Sequence, residues 1–230
     1  MSEYYIPRLY RFLRELDANN NREWFYANKA RYEDLRGHWL EDLERLIAAT
    51  GSWYPEMASQ TAKTAAYRIY RDTRFTLDKT PYKTYFSAAL TPRGRAAVMA
   101  GYYIHIGPQV DSNCFDSGVY GGFWNPDAAM LKKMRHAIVD NIEEWEEIVH
   151  DKQVERLYPG WCGDTLKTIP KGWDRNHPLA PYLRLKSYGK FRPLDQRFFS
   201  DPDWPIHTSE LMRPLKPLLK FINFSISEQL

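Results

Sequence analysis

Prolines set the strongest limit on regular structure in this chain. Seven of the fifteen prolines lie between residues 151 and 206. Because proline lacks a backbone N–H and its ring clashes with a preceding helical turn, so dense a segment cannot be mostly helix or central strand. The segment also contains Trp161, Trp173 and Trp204, an aromatic content that argues against disorder. We therefore predict an irregular covering segment over 151–206, with a short strand or helical turn near 182–190.

Apolar residues at helical spacing predict helices outside this segment. The stripes indicate helices at residues 7–17, 21–50 and 126–150. A C-terminal helix follows, kinked at Pro217. The N-caps predicted for the last three helices are residues whose side chains accept backbone N–H bonds, namely Asn20, Asn125 and Thr208.

Strand patterns fill the region between the long helices. Residues 65–70 have the composition of a strand, and residues 83–91 and 96–106 read as a hairpin around a Pro-Arg-Gly-Arg turn. Residues 111–120 are the expected third partner of an antiparallel meander. The prediction is a single α+β domain over residues 1–230, whose small antiparallel sheet, about 65–121, is flanked by long helices and closed by the C-terminal helix.

Positive charge is concentrated in one stretch of the chain. Residues 63–84, KTAAYRIYRDTRFTLDKTPYKT, hold six basic and two acidic residues, a net charge of +4, whereas the whole chain carries +3. Aromatic residues alternate with these charges. Arginine grips carboxylate or phosphate through two parallel hydrogen bonds and lysine adds a point charge, so this pattern favours an anion-binding site. The expected ligand-binding residues are Arg68, Arg71, Arg74, Lys79, Tyr82 and Lys83.

Two acidic residues in the same stretch allow further roles. If the protein is an enzyme, Asp72 and Asp78 are the candidate catalytic groups, as a base or as metal ligands, and the arginines would stabilise charge. The alternative is an internal ion-pair network in which these carboxylates lock Arg68, Arg71 and Arg74. An extended segment would place Arg68 and Asp72 on one face, whereas a helical one would pair them at four-residue spacing. The sequence leaves both geometries open.

The same stretch carries a resemblance to a known family. The run Arg68-x-x-Arg71-Asp72-x-Arg74-Phe75-x-x-Asp78-Lys79-x-x-Tyr82 resembles the defining motif of the domain-of-unknown-function family 2461, a group of bacterial proteins of about this length. Asn20-Asn21-Arg22-Glu23-Trp24-Phe25 is similar to the NNREWF start of that family, and Pro170-Lys171-Gly172 to a later PKG element. The resemblance covers most of the chain and implies no particular activity or cofactor.

Other chemistry finds little support in the sequence. The six histidines show no metal-ligand spacing, no nucleophile elbow or phosphate-binding loop is present, and we assign no metal site. His105 is expected to be a half-buried imidazole with its hydrogen bonds satisfied. The glycines at 118, 121 and 122 are interpreted as turn residues ahead of a helix, with anion binding there the weaker alternative.

Composition narrows the compartment and the partners. The only cysteines are Cys114 and Cys162, so a disulfide framework is not expected and a reducing cytoplasm is the natural location. No apolar run is long enough to span a bilayer, and the first residues show no signal-peptide pattern. The leading hypothesis is a cytoplasmic protein that binds a small phosphate- or carboxylate-bearing ligand, with or without catalysis. A nucleic-acid-binding module and a protein-interaction domain remain as alternatives, and oligomeric state is left open.

Overall fold

The computed structural model describes residues 4–95, 97–108 and 116–227 and shows an α+β fold. In chain order the α-helices are α1 Tyr5–Ala18, α2 Arg22–Ala27, α3 Lys29–Gly51, α4 Ala62–Ala65, α5 Ala128–Asp140, α6 Ile142–Val149, α7 Lys152–Leu157, α8 Ala180–Leu183, α9 Gln196–Phe199, α10 Trp204–Met212 and α11 Lys216–Ser227. Short 3-10 turns occupy Pro55–Ser59 and Arg213–Leu215. The strands are β1 Phe86–Leu90, β2 Gly101–Ile106, β3 Gly118–Phe123 and β4 Tyr188–Pro193.

The sheet is antiparallel throughout, in the order β1-β2-β3-β4. The predicted meander is confirmed in β1 to β3. The predicted sheet limits are wrong at both ends. In the stretch 65–70, Ala65 ends α4 and only Ala66 and Tyr70 form isolated bridges, so no regular strand is present, and β4 is contributed by the proline-rich segment. Proline was no obstacle to β4, because Pro193 stands at the last position of an outer strand.

One face of the sheet lies against the main core. Ile104 is paired with Ala88 on one side and Val119 on the other, and all three are fully buried in the apolar core. The helices that cover this face pack through large aromatic residues. The indole rings of Trp39 in α3 and Trp204 in α10 are stacked, with centroids 5.8 Å apart.

A buried carboxylate ties these helices together. Asp42 of α3 accepts hydrogen bonds from the Tyr4 hydroxyl, from the Trp204 indole N–H at 3.0 Å and from Arg45 at 3.0 Å. Arg45 is half exposed and also pairs with Asp203 at 2.8 Å. A buried charge is tolerated when it is paired and hydrogen-bonded, as it is here.

Two of the predicted long helices are each divided in two, and their N-caps lie one or two residues from the predicted positions. The 21–50 helix is interrupted at Asn28, and its N-cap is Asn21, whose side chain accepts from the Trp24 N–H, instead of Asn20. The 126–150 helix is interrupted at Asn141 and is capped by Asp127 in place of Asn125. Thr208, another predicted N-cap, is buried inside α10 and caps nothing, and Asn125 has a positive φ of 47°. The predicted kink at Pro217 is also wrong, because α11 begins only one residue before it, at Lys216.

Three glycines lie side by side on the neighbouring strands β2, β3 and β4. Gly122 is paired with Gly101 on β2 and with Gly189 on β4. A methyl group on Gly122 would lie 2.3 Å from Gly189 Cα, and its φ of 146° is strained for any other residue. Gly118 and Gly121 also lie within β3, so the predicted glycine-rich turn is wrong: these residues serve close strand packing.

Two further observations bear on the sequence-based expectations. Cys162 is buried and disulfide-bonded, which corrects the expectation of two ordinary thiols, while Cys114 lies outside the described residues. Across the part of the chain that the structure describes, none of the helices combines the length and the apolar character needed to span a membrane.

Candidate anion-binding site

The most basic segment of the chain forms an irregular hairpin whose second arm runs into β1. Its arms are residues 66–71 and 81–88, joined by the loop 72–80, and we call residues 66–88 the charged hairpin. β1 is an outer strand, so the first arm covers part of its open edge through the bridge between Ala66 and Ala88. The backbone bonds that join the arms are Tyr67 N–H to Ser87 O (2.8 Å), Lys83 N–H to Ile69 O (2.8 Å) and Arg71 N–H to Pro81 O (2.9 Å).

Tyr82 anchors this hairpin to the N-terminal helices. Its backbone N–H donates to Asn20 Oδ1 at 3.1 Å, and its carbonyl accepts from Asn20 Nδ2 at 3.0 Å. Its ring stacks on Phe25 of α2 with centroids 4.0 Å apart, and the residue is only 3% exposed. Tyr82 was predicted to bind ligand, and the structure places it in the core, where it positions the hairpin.

Within the loop, Asp72 is paired with Arg74. The carboxylate accepts from Arg74 Nε at 2.9 Å and Nη2 at 2.7 Å, and from the Arg74 backbone N–H at 3.2 Å. The Arg74 side-chain hydrogen bond is the main cause that lowers the pKa of Asp72 to about 2. The two side chains are 47% and 75% exposed, so this is a surface pair that neutralises its own charge.

Asp78 is engaged in the same way on the other side of the loop. It accepts from the Thr80 backbone N–H at 2.9 Å, from the Thr80 hydroxyl at 2.8 Å and from the Arg71 guanidinium. These bonds, the backbone one first, lower the pKa of Asp78 to about 2. A carboxylate with so low a pKa is a weak proton acceptor at neutral pH. Lys79 donates to the Thr73 carbonyl at 2.8 Å and thereby ties the loop to itself.

Arg68, Lys83 and Arg95 also lie outside these ion pairs, and we call these three the cation cluster. Arg95 donates a hydrogen bond to the Ala66 carbonyl. The Arg95 guanidinium lies 4.7 Å from the centroid of the Tyr67 ring, and the Lys83 ammonium lies 5.1 Å from the same centroid. Arg68 lines a narrow crevice with Tyr67 and Tyr85. Within the described residues, no carboxylate forms an ion pair with any of these three cations.

The electrostatics of Lys83 show that the cluster is crowded with like charge. Burial is the main cause that lowers the pKa of Lys83, and repulsion from Arg68 and Arg95 lowers it further. His105 on β2 lies close by, stacked on Tyr85 with ring centroids 4.0 Å apart. Burial, and then the charge of Lys83, lowers the pKa of His105 to about 3, so this imidazole is neutral.

Sequence reasoning missed two members of this neighbourhood. Arg95 lies outside the segment whose charge was counted, in the turn between β1 and β2. That turn brings Arg95 next to Ala66, the first residue of the charged hairpin. The predicted β1–β2 turn, which contains Arg95, was the one sequence feature that could have indicated this. His105 was expected to have satisfied hydrogen bonds, but its Nδ1 atom is buried and has no partner among the described residues.

The predicted site residues do not share a single cavity. Lys83 lines a cleft of about 500 Å³ together with Arg71, Asp72, Asp78 and Tyr82. Arg68 faces the separate crevice described above, and Arg74 and Lys79 line neither of the two. Lys83 is thus the one cation of the cluster that faces the larger cleft.

Comparison with known families gives one result. The sequence profile of the family described as conserved hypothetical protein (DUF2461) matches residues 8–221. The chain belongs to the DUF2461 family. Comparisons with curated proteins and with solved structures gave no match. The assignment to DUF2461 therefore brings no activity with it, and function has to be argued from the residues.

Two stretches that resemble DUF2461 motifs meet in space, while the third lies elsewhere. Asn20, in the NNREWF-like start, bonds to Tyr82, the last residue of the charged run. Lys171 and Gly172, of the PKG element, line a different cleft of about 800 Å³. Among the described residues no group of three or more His, Cys, Asp and Glu is arranged to hold a metal ion.

Proposed function

We propose that this DUF2461 protein binds a small phosphate- or carboxylate-bearing ligand at the cation cluster. The observation that carries the proposal is the contact of Lys83 and Arg95 with one tyrosine ring, with Arg68 near enough to repel Lys83 and no ion pair to a carboxylate for any of the three among the described residues. Like charges held together and partly desolvated cost free energy unless an anion offsets their repulsion. A bound phosphate or carboxylate would supply that anion.

The loop next to the cluster provides an internal comparison. Arg71 and Arg74 are each matched by an aspartate, as expected of arginines that serve structure. Lys83, in the same hairpin, has no such partner within the described part of the chain. The hairpin thus contains both arrangements, and the unpaired one is where we propose that the ligand binds.

The geometry favours one compact anionic group over a polyanion. Lys83 and Arg95 contact a single ring, 5.1 and 4.7 Å from its centroid, so this charge is confined to one place on the surface instead of following a track. A nucleic-acid site needs a succession of phosphate contacts along a groove. The neutralised loop arginines would not extend such a track, because each is already bonded to an aspartate.

Thermal denaturation in inorganic phosphate tests the proposal. With ionic strength held constant, phosphate at about one hundred times its dissociation constant should raise the Tm of the wild type by about 5–10 °C. Lys83→Met should lose this shift. Arg74→Ala is the matched control, since it removes one positive charge from the same hairpin but from an existing ion pair, and it should keep the shift.

Each outcome has a defined meaning. A wild-type Tm that does not respond to phosphate or citrate, or an equal response of Lys83→Met and Arg74→Ala, would overturn the proposal. Retention on mixed-sequence DNA that is lost steeply as salt rises, and lost in Lys83→Met, would transfer the site to nucleic acid. We expect little retention on DNA at physiological ionic strength.

A further inference from the structure

The sheet face opposite the main core carries an aromatic cavity of about 370 Å³. Tyr103 on β2 and Tyr120 on β3 are direct cross-strand partners. Their sequence neighbours Ile104 and Val119 point into the main core, so strand alternation places the two tyrosines on the other face. This volume is in the range of small-molecule pockets.

Aromatic rings form much of the cavity wall. Tyr67 from the charged hairpin meets Tyr103 edge to face, with ring centroids 6.1 Å apart. Tyr120 meets Trp124 in the same manner, with centroids 6.2 Å apart. Gly101 on β2 and Gly122 on β3 also line the cavity and are paired with each other. At this pair the two strands present only backbone to the cavity, because glycine has no side chain. The result is a pocket suited to a flat apolar group.

The cavity and the cation cluster share two residues. Tyr67 and Arg95 both line the cavity, and Arg95 lies over the Tyr67 ring. The Lys83 ammonium contacts that same ring. An anionic group bound to Arg95 would therefore adjoin the aromatic cavity, because Arg95 is part of its wall.

We infer that the ligand is a flat aryl or heteroaryl ring bearing a phosphate or carboxylate group. This inference rests on the anion site proposed above. The ring occupies the cavity among Tyr67, Tyr103 and Tyr120, and the anion is held by Arg95, which lines that cavity, while Lys83 adds positive charge at the same tyrosine ring. Aromatic walls select the ring by stacking and edge contacts, and the cations select the charge.

Calorimetric titration with paired probes tests the inference. Phenyl phosphate and AMP carry a ring and are compared with glycerol phosphate, while 4-hydroxybenzoate is compared with acetate. In the wild type, at least one ring-bearing probe should bind about tenfold or more tightly than the ringless probe with the same anionic group. Comparison of the phosphate probes with the carboxylate probes shows which of the two anionic groups the site binds.

A variant that fills the cavity localises the effect. Ala89 lines the cavity and is 9% exposed, so Ala89→Leu should extend into the cavity, remove the preference for the ring and leave glycerol phosphate binding unchanged. Trp124→Ala, which removes part of the wall, serves as a second variant if Ala89→Leu does not fold. A ring preference that survives in the folded cavity variant would overturn the inference.

The two proposals fail in different ways. Equal affinity of the wild type for ring-bearing and ringless probes would overturn the aromatic inference and leave the anion site standing. Absence of binding by every probe, together with a Tm that ignores phosphate, would overturn the anion site itself.

Discussion

Asn20 pairs with the backbone of Tyr82 through both of its side-chain polar atoms, across 62 positions of sequence. The amide of asparagine here acts like one residue of a neighbouring strand, because it offers one donor and one acceptor to a backbone N–H and C=O. The pair fixes the second arm of the charged hairpin relative to α2. It also explains why Asn20 does not cap that helix.

Replacing Asn20 should therefore destabilise the fold. Asn20→Ala leaves the Tyr82 N–H and carbonyl without partners in a partly buried position, and we expect a loss of about 1–3 kcal/mol in the free energy of unfolding. Chemical denaturation provides the measurement. Asn19→Ala is the control, since that side chain makes one exposed bond to the Glu15 carbonyl. Equal losses in the two variants would contradict a specific role for the Asn20–Tyr82 pair.

Lys83 should behave as a functional residue that reduces stability. In buffer without multivalent anions, Lys83→Met is expected to melt at or above the wild-type Tm, because it removes a half-buried cation that Arg68 and Arg95 repel. Lys190→Met is the matched comparison. Burial lowers the pKa of that lysine as well, but its ammonium donates to the carbonyls of Gly160 at 3.1 Å and Tyr158 at 3.3 Å.

The two lysines should therefore respond in opposite directions to the same substitution. Lys190→Met removes satisfied hydrogen bonds and should lower the Tm. A clear drop in Tm for Lys83→Met, similar to that of Lys190→Met, would show that Lys83 is structural.

His105 should make the fold sensitive to acid. Folding lowers its pKa from 6.5 to about 3, so between these values the unfolded chain binds a proton that the folded protein does not. The free energy of unfolding therefore falls as pH decreases from about 6.5 to about 3, by at most about 1.4 kcal/mol per pH unit for this group. The groups around the imidazole that set this behaviour are Lys83, Tyr85 and Tyr103.

Removing the imidazole tests this pH dependence. His105→Phe should show a shallower decline of Tm between pH 6.5 and pH 4 than the wild type does. If His105→Phe declines as steeply as the wild type, the acid sensitivity arises from other groups.

The sequence was informative wherever local pattern decides structure. The β1 to β3 meander follows from alternation and turn residues, and α1 and α3 follow from their apolar stripes. The breaks at Asn28 and Asn141 escaped prediction, because an interruption inside a continuous apolar stripe leaves no gap in the periodicity. A short strand or helical turn was predicted near 182–190, and β4 begins in that range at Tyr188, but its pairing with β3 was not predicted because the proline-rich segment was expected to lie over the sheet.

The site was harder to predict than the fold because charge was counted along the chain. Counting singled out the hairpin but could not tell the arginines in ion pairs from the other cations. That distinction depends on the fold of the loop 72–80, which brings Asp72 to Arg74 and Asp78 to Arg71. Arg95 joins the cluster only through the tertiary approach of the β1–β2 turn to Tyr67. Tyr82, predicted to contact the ligand, packs its ring on Phe25 in the core and also lines the cleft that Lys83 faces.

The late position of β4 in the chain has a consequence for biosynthesis. β3 ends at Phe123 and its second partner begins at Tyr188, so the ribosome makes the intervening segment while one side of β3 is unpaired. At about 5–20 residues per second this interval lasts roughly 3–13 s. During that time the nascent sheet exposes a row of free backbone donors and acceptors that could pair with another chain. This period of aggregation risk therefore precedes completion of the polypeptide, and it ends when β4, from the proline-rich segment, pairs with β3.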